Sequence, residues 1–187
     1  MKKVLSTKNM ALCGMFTALI AIGAFIKIPF PTGVPFSLQF MFTMLAGFLL
    51  GNKLGSLSVL IYLFIGLAGI PIFTSGGGIG YVLKPTFGYM IGFVLSTFTI
   101  GTISRAETKP SYLRLVIANF AGTSIVYICG TVYFYFIMKY VSGTVIGFKA
   151  LITSCVLMTI WSDIFFCFFT AFIAKKLIPK LRDKIAA

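Results

Sequence analysis

Histidine is absent from these 187 residues, and only three residues are acidic. Without histidine the chain lacks the commonest acid–base catalyst and metal ligand, so neither a Ser-His-Asp triad nor an H-E-x-x-H zinc site can be built. The three acids, Glu107, Asp163 and Asp183, are far apart in the chain and offer no neighbouring carboxylate pair for general acid–base work. The four cysteines form no C-x-x-C pair. Cys13, Cys129, Cys155 and Cys167 all fall in apolar segments and read as small buried residues, not metal or redox groups. No Walker A pattern occurs, so the chain does not hydrolyse ATP itself. Charged residues make up 10%, against 59% hydrophobic residues and a mean hydropathy of +1.04. That balance is foreign to a soluble domain and marks a polytopic membrane protein.

The length suits about six spans of ~20 residues. Apolar runs between polar or Gly/Pro punctuation predict them near residues 10–28, 37–50, 54–70, 85–103, 112–138 and 149–174, in one membrane domain over 1–187. Pro85 is a suitable first helical residue for the fourth. The net charge of +13 flanks these runs and forms no stripe, which argues for membrane orientation and against nucleic acid. An even number of spans puts both termini on one side. That side collects Lys2, Lys3, Lys8, Lys53, Arg105, Lys109, Arg114, Lys175, Lys176, Lys180, Arg182 and Lys184, and the other has only Lys27, Lys84, Lys139 and Lys149. The excess predicts cytoplasmic termini. Residues 1–9 are basic, but the apolar run that follows lasts a full span without a clear A-x-A site, so no cleaved signal is expected.

Asp163 is the one acid inside an apolar segment, C-V-L-M-T-I-W-S-D-I-F-F-C-F-F-T-A-F at 155–172, with no basic residue within ten positions. A carboxylate at bilayer depth costs about 2.5–3.5 kcal/mol even on lenient scales. Such a residue points to a binding site, or else to a protonated acid or one paired with a basic residue of another helix. The outer segments 29–35 and 71–81 are rich in Gly or Pro and carry Phe30, Val34, Phe36, Ile72, Phe73, Ile79 and Tyr81 in or beside them. These are too apolar for solvated connectors, and irregular backbone near membrane depth is tolerated where it lines a cavity. The segments therefore read as a lid or pocket lining. Along the first span Ala11, Gly14, Ala18 and Ala21 recur every three or four residues, a face of small side chains that lets another helix approach closely, inside this chain or on a partner.

Four stretches in order, P-F-P-T-G-V-P-F-S-L-Q (29–39), A-G-F-L-L-G (46–51), Y-L-F-I-G-L-A-G-I-P-I-F (62–73) and G-G-G-I-G-Y-V-L-K-P-T-F-G-Y (76–89), resemble the BioY family, the biotin-specific S components of energy-coupling factor (ECF) vitamin transporters. The similarity runs through residues 10–175. The resemblance implies an all-α integral membrane protein of six transmembrane helices with cytoplasmic termini, located in the cell membrane. It implies a vitamin pocket near the outer face that captures biotin without catalysis and without a cofactor. Uptake would be driven by a transmembrane coupling subunit with two ATPase subunits. Docking on the coupling subunit would fall to Ala11, Gly14, Ala18 and Ala21.

The family's pocket aspartate on the last span matches Asp163. A ureido ring presents two N–H donors and one carbonyl, and a buried carboxylate accepts such donors through charge-assisted bonds. Gln39 offers both donor and acceptor. Phe36, Tyr81, Tyr89 and Trp161 are candidate aromatic walls, and Gly76, Gly77 and Gly78 would let backbone approach the ligand. Two positions depart from the family pattern. Phe166 stands where many members have lysine, and Met90 where several have arginine. Those cations would pair with the ligand's carboxylate; Lys84 is a candidate to supply the charge from the outer rim, or is an interfacial anchor. Alternative ligands are a biotin analogue or another small carboxylate. Competing readings are a membrane enzyme using Asp163, which lacks a second catalytic group, and a proton-coupled carrier, which lacks an obvious inverted repeat.

Overall fold

The computed structural model describes residues 6–28, 35–107, 109–144, 146–157 and 159–186, the stretch 181–186 by its backbone alone. The sequence readings on Lys2, Lys3, Phe30 and Val34, most of the outer segment 29–35, and the side chains of Arg182, Asp183 and Lys184 lie outside these residues. The fold is all-helical apart from one two-residue hairpin. In chain order it comprises α1 (Thr7–Phe25), β1 (Lys27–Ile28), β2 (Phe36–Ser37), α2 (Gln39–Leu67), a 3₁₀ turn (Ile79–Leu83), α3 (Phe87–Arg105), α4 (Tyr112–Tyr140), α5 (Phe148–Ile152), a π turn (Thr153–Leu157) and α6 (Ile160–Ala186). Among the described residues five helical stretches are long and apolar enough to cross a membrane: α1, α2, α3, α4 and Phe148–Lys180. In hydrocarbon the backbone must satisfy its own polar groups, which leaves the helix as the form for such runs. Serines open two of them: Ser6 Oγ accepts from Asn9 N–H and Ser111 Oγ from Arg114 N–H.

The expected spans 37–50 and 54–70 both lie in α2, which is broken at Gly51 (φ 83°, ψ −172°). Its halves fold back on each other. Gln39 Nε2 donates to Tyr62 Oη at 2.8 Å over 23 residues, where a straight helix would hold them ~35 Å apart. The positive φ suits a residue without a Cβ. The break frees a helical carbonyl, and Arg105 takes it up, Nη2 donating to Leu50 O at 2.6 Å. The guanidinium occupies the space a side chain at 51 would need, since a Cβ there would stand 2.1 Å from Arg105 Nε.

Helix α3 is sandwiched between α2 and α4, and small residues set the spacing. A Cβ at Gly101 would come within 2.3 Å of Asn52 N, and one at Gly92 within 2.8 Å of Val126 Cα. Hairpin β1–β2 pairs Lys27 with Ser37 and Ile28 with Phe36, and closes the end of the bundle opposite the Gly51 turn.

Two boundaries differ from the sequence reading. Pro85 stands ahead of α3, in the link from the 3₁₀ turn, where Phe87 N–H donates to Lys84 O at 3.0 Å. The last run is divided into α5, the π turn and α6, and Tyr89 Oη donates across the bundle to Cys155 O within the π turn. All four cysteines are free, three of them buried.

Candidate functional site

At the hairpin end a cavity is lined from six parts of the chain, with about 590 Å³ of space counted out through its open mouth. The hairpin and its exit give Pro35, Phe36 and Ser37, and the start of α2 gives Gln39 and Phe40. Thr74 comes from the segment after α2, and Thr86, Tyr89, Met90 and Phe93 from the start of α3. Val126 and Tyr127 project from α4, and Thr159 and Asp163 from the start of α6.

Asp163 is the one charged side chain in this lining. Tyr127 Oη donates to its Oδ2 and also bonds with Thr159 Oγ1 at 3.1 Å. Below that pair the two helices continue to meet through polar groups. Thr123 Oγ1 lies 3.3 Å from Cys167 Sγ, and Asn119 Nδ2 donates to Thr170 Oγ1 at 2.8 Å and to Cys167 O at 2.7 Å. Residues 119, 123 and 127 recur every four along α4, and 163, 167 and 170 every three or four along α6. Helical periodicity therefore places each set on one face and makes a ladder between them. The ladder fixes the rotation of α6 and so aims Asp163 at the cavity.

Gln39 is 1% exposed. Its bond to Tyr62 uses one amide donor, and Tyr62 Oη in turn donates to Ile72 O at 3.0 Å. The second N–H and the carbonyl are left for the cavity. Phe36 stacks on Phe166 with ring centroids 5.6 Å apart. Met90, 3% exposed, makes apolar wall. Met90 and Phe166 thus build and brace a greasy side.

Of the residues singled out in the sequence, Asp163, Gln39, Tyr89 and Phe36 share this cavity. Tyr81, Gly77, Gly78 and Trp161 lie outside its lining. Tyr81 is buried behind it against Phe73, its hydroxyl 3.0 Å from Thr74 Oγ1. The glycines do permit a close backbone approach, but to the end of α2: Gly78 N–H donates to Gly66 O at 2.7 Å, and a Cβ at Gly77 would sit 2.3 Å from Ile70 O. Trp161 is 79% exposed. Lys84 is also outside the lining, its Nζ donating to Ser75 O at 2.7 Å and lying 4.8 Å from the Tyr81 ring centroid. In the outer segments Pro35, Phe36 and Thr74 line the cavity, Phe73 is buried beneath it, and Ile79 faces outward. Along α1, Ala11, Gly14 and Ala18 are exposed and Ala21 half-buried. Nothing lies within 4 Å of where a Gly14 Cβ would be.

Sequence reasoning missed Tyr127 and the threonines 86 and 159. The signal for Tyr127 was available in the four-residue recurrence of Asn119, Thr123 and Tyr127 within an otherwise apolar run.

Known proteins resemble this chain over most of its length. The family model for the BioY family matches residues 1–183. A probable biotin transporter BioY of Lysinibacillus sphaericus is 49% identical over 135 residues, covering 72% of this chain and 68% of that protein. The biotin transporter BioY of Thermotoga maritima is 42% identical over 118 residues, covering 63% and 68% respectively. Among solved structures, the S-component for biotin from an ECF-type ABC transporter superposes with a TM-score of 0.76 at 30% identity, covering 91% of this chain and 90% of that one.

Proposed function

The chain belongs to the BioY family, and from that membership together with the Asp163 cavity we infer that it is the biotin-binding S component of an ECF-type importer. It is a multi-pass membrane protein and a transporter component, not an enzyme. The observation that carries the reading beyond family membership is the orientation of Asp163. An acid placed among apolar side chains, held by Tyr127 and facing an open cavity, has a use that offsets its cost.

In the bound state the ureido N–H groups of biotin donate to Asp163, whose second oxygen and remaining lone pairs are free of Tyr127. Gln39 answers the ureido carbonyl or a ring polar atom with its second N–H. Phe36, Tyr89, Met90 and Phe93 cover the bicyclic and chain carbons. Six spans follow if the two halves of α2 each count as one, and the basic excess at the Gly51 end puts both termini in the cytoplasm and the cavity toward the outside. The open small-residue face of α1 at Ala11, Gly14, Ala18 and Ala21 is the docking surface for a transmembrane coupling subunit, itself joined to two ATPase subunits.

A second ligand reading is favoured by Met90 and by the Phe36–Phe166 stack, which replace basic residues with apolar wall. A biotin analogue or another small carboxylate with a less polar tail would suit that wall. Mass spectrometry of small molecules released from the detergent-purified protein, followed by titration with biotin, tests both. Biotin recovered and bound tightly supports the first reading, another bound carboxylate the second. A protein that carries and binds neither overturns both.

A further inference from the structure

Two lysines that lie outside the cavity's lining converge on one short turn beside it. Phe73 and Gly76 close that turn by exchanging backbone hydrogen bonds, at 2.9 and 3.3 Å, leaving Thr74 and Ser75 at its tip. Thr74 is buried, lines the cavity and is anchored through its hydroxyl to Tyr81. Lys27 reaches the turn from β1 and donates to Thr74 O, and Lys84 reaches it from the end of the 3₁₀ turn and donates to Ser75 O. Adjoining carbonyls therefore hold two ammonium groups, and neutral carbonyls do not balance their charge.

Among the described residues no anion is paired with either lysine. Residues 1–106 contain no Asp or Glu at all. Glu107 pairs with Arg114 at the opposite end of the bundle, and Asp163 is bonded to Tyr127. Among the described residues the cavity has acid at one wall and no cation in its lining, so a ligand carrying both N–H donors and a carboxylate meets complementary charge only if the carboxylate points outward.

We propose that Lys27 and Lys84 form an anion-receiving rim on the Thr74–Ser75 turn, which binds the carboxylate of the ligand and so fixes its direction, polar head inward at Asp163 and acid at the mouth. This deepens the inference of biotin capture and rests on it. The chemical class selected is a small monocarboxylate whose other end is a neutral N–H donor. Moving the cationic subsite to the mouth lets Met90 and Phe166 be apolar without loss of acid recognition.

The test compares biotin with biotinamide, which keeps the ring and tail and loses the charge, by titration into the detergent-purified full chain. Wild type is expected to prefer the acid by about five- to tenfold. Lys27→Met and Lys84→Met each reduce that ratio by about two- to threefold, and the double variant brings it to within about twofold of unity. Affinity for biotinamide stays at the wild-type value throughout, which also reports that the variants are folded. Lys27→Arg with Lys84→Arg restores the preference. A double variant that keeps the wild-type ratio overturns the rim and leaves the lysines as interfacial anchors. Wild type that binds acid and amide equally overturns the rim while the biotin reading stands, and wild type that binds neither overturns both.

Discussion

Tyr127 donates a hydrogen bond from its hydroxyl to the Oδ2 of Asp163 across the α4–α6 interface, and Thr159 bonds to the same phenol. The carboxylate is thereby held on one oxygen and presents the other. Asp163→Asn puts an N–H₂ group where the ligand's donors arrive. Loss of a charge-assisted hydrogen bond worth about 1.5–3 kcal/mol predicts biotin binding weaker by roughly tenfold or more. Tyr127→Phe leaves the charge but not its orientation and should weaken binding by only several-fold. Calorimetric titration checks both, and unchanged affinity in Asp163→Asn would remove that residue from the site.

The open face of α1 makes a different expectation. Gly14 has free space before it and Ala18 is exposed, so Ala18→Trp fits the isolated chain. It should abolish uptake of labelled biotin in cells that carry the whole importer while leaving biotin affinity of the purified chain intact. Normal uptake by this variant would sink the docking role of the face.

Gly51 has two reasons to resist substitution. Its φ of 83° is unfavourable for any side chain, and Arg105 already fills the Cβ position. Gly51→Ala should therefore cost about 1–3 kcal/mol, read as a lower thermal midpoint in detergent. Arg105→Ala removes the clash and the bond to Leu50 O together, so combining the two changes should cost less than the sum of the separate ones.

Asn119 and Thr170 test the ladder. Hydrogen bonds between helices in membranes average about 0.6 kcal/mol and reach about 1.7. A double-mutant cycle of Asn119→Ala and Thr170→Ala, followed by unfolding in mixed micelles, should give a coupling within that range. Zero coupling would mean that packing alone sets the rotation of α6.

What could be read from the chain without coordinates depended on how local the cause was. The long helices follow from apolar runs, and Asp163 stands out because a single charge in such a run is costly. Gln39, Phe36 and Tyr89 came from motifs next to the outer segments and do line the cavity. Trp161 could not be judged in the same way: it is two residues from Asp163, and that step on a helix turns a side chain through about 200°. The glycines at 77 and 78 signalled close approach but not to what, since the object, the end of α2, is fixed by tertiary contact. The merging of two runs into α2, and the π turn ahead of Asp163, depend on hydrogen bonds that periodicity does not carry.

The shortness of the first half of α2 has a consequence for where the ligand sits. From Gln39 to Leu50 is 12 residues, a rise of ~18 Å, against a hydrocarbon slab about 30 Å thick. On the proposed orientation, with the Gly51 turn at the inner water boundary, Gln39 would lie about 12 Å beneath the outer one. The cavity would then be a funnel sunk into the membrane, not a patch on its surface. A molecule bound there would by diffusion alone have travelled more than a third of the way through the barrier, which would leave the energised step only the remainder.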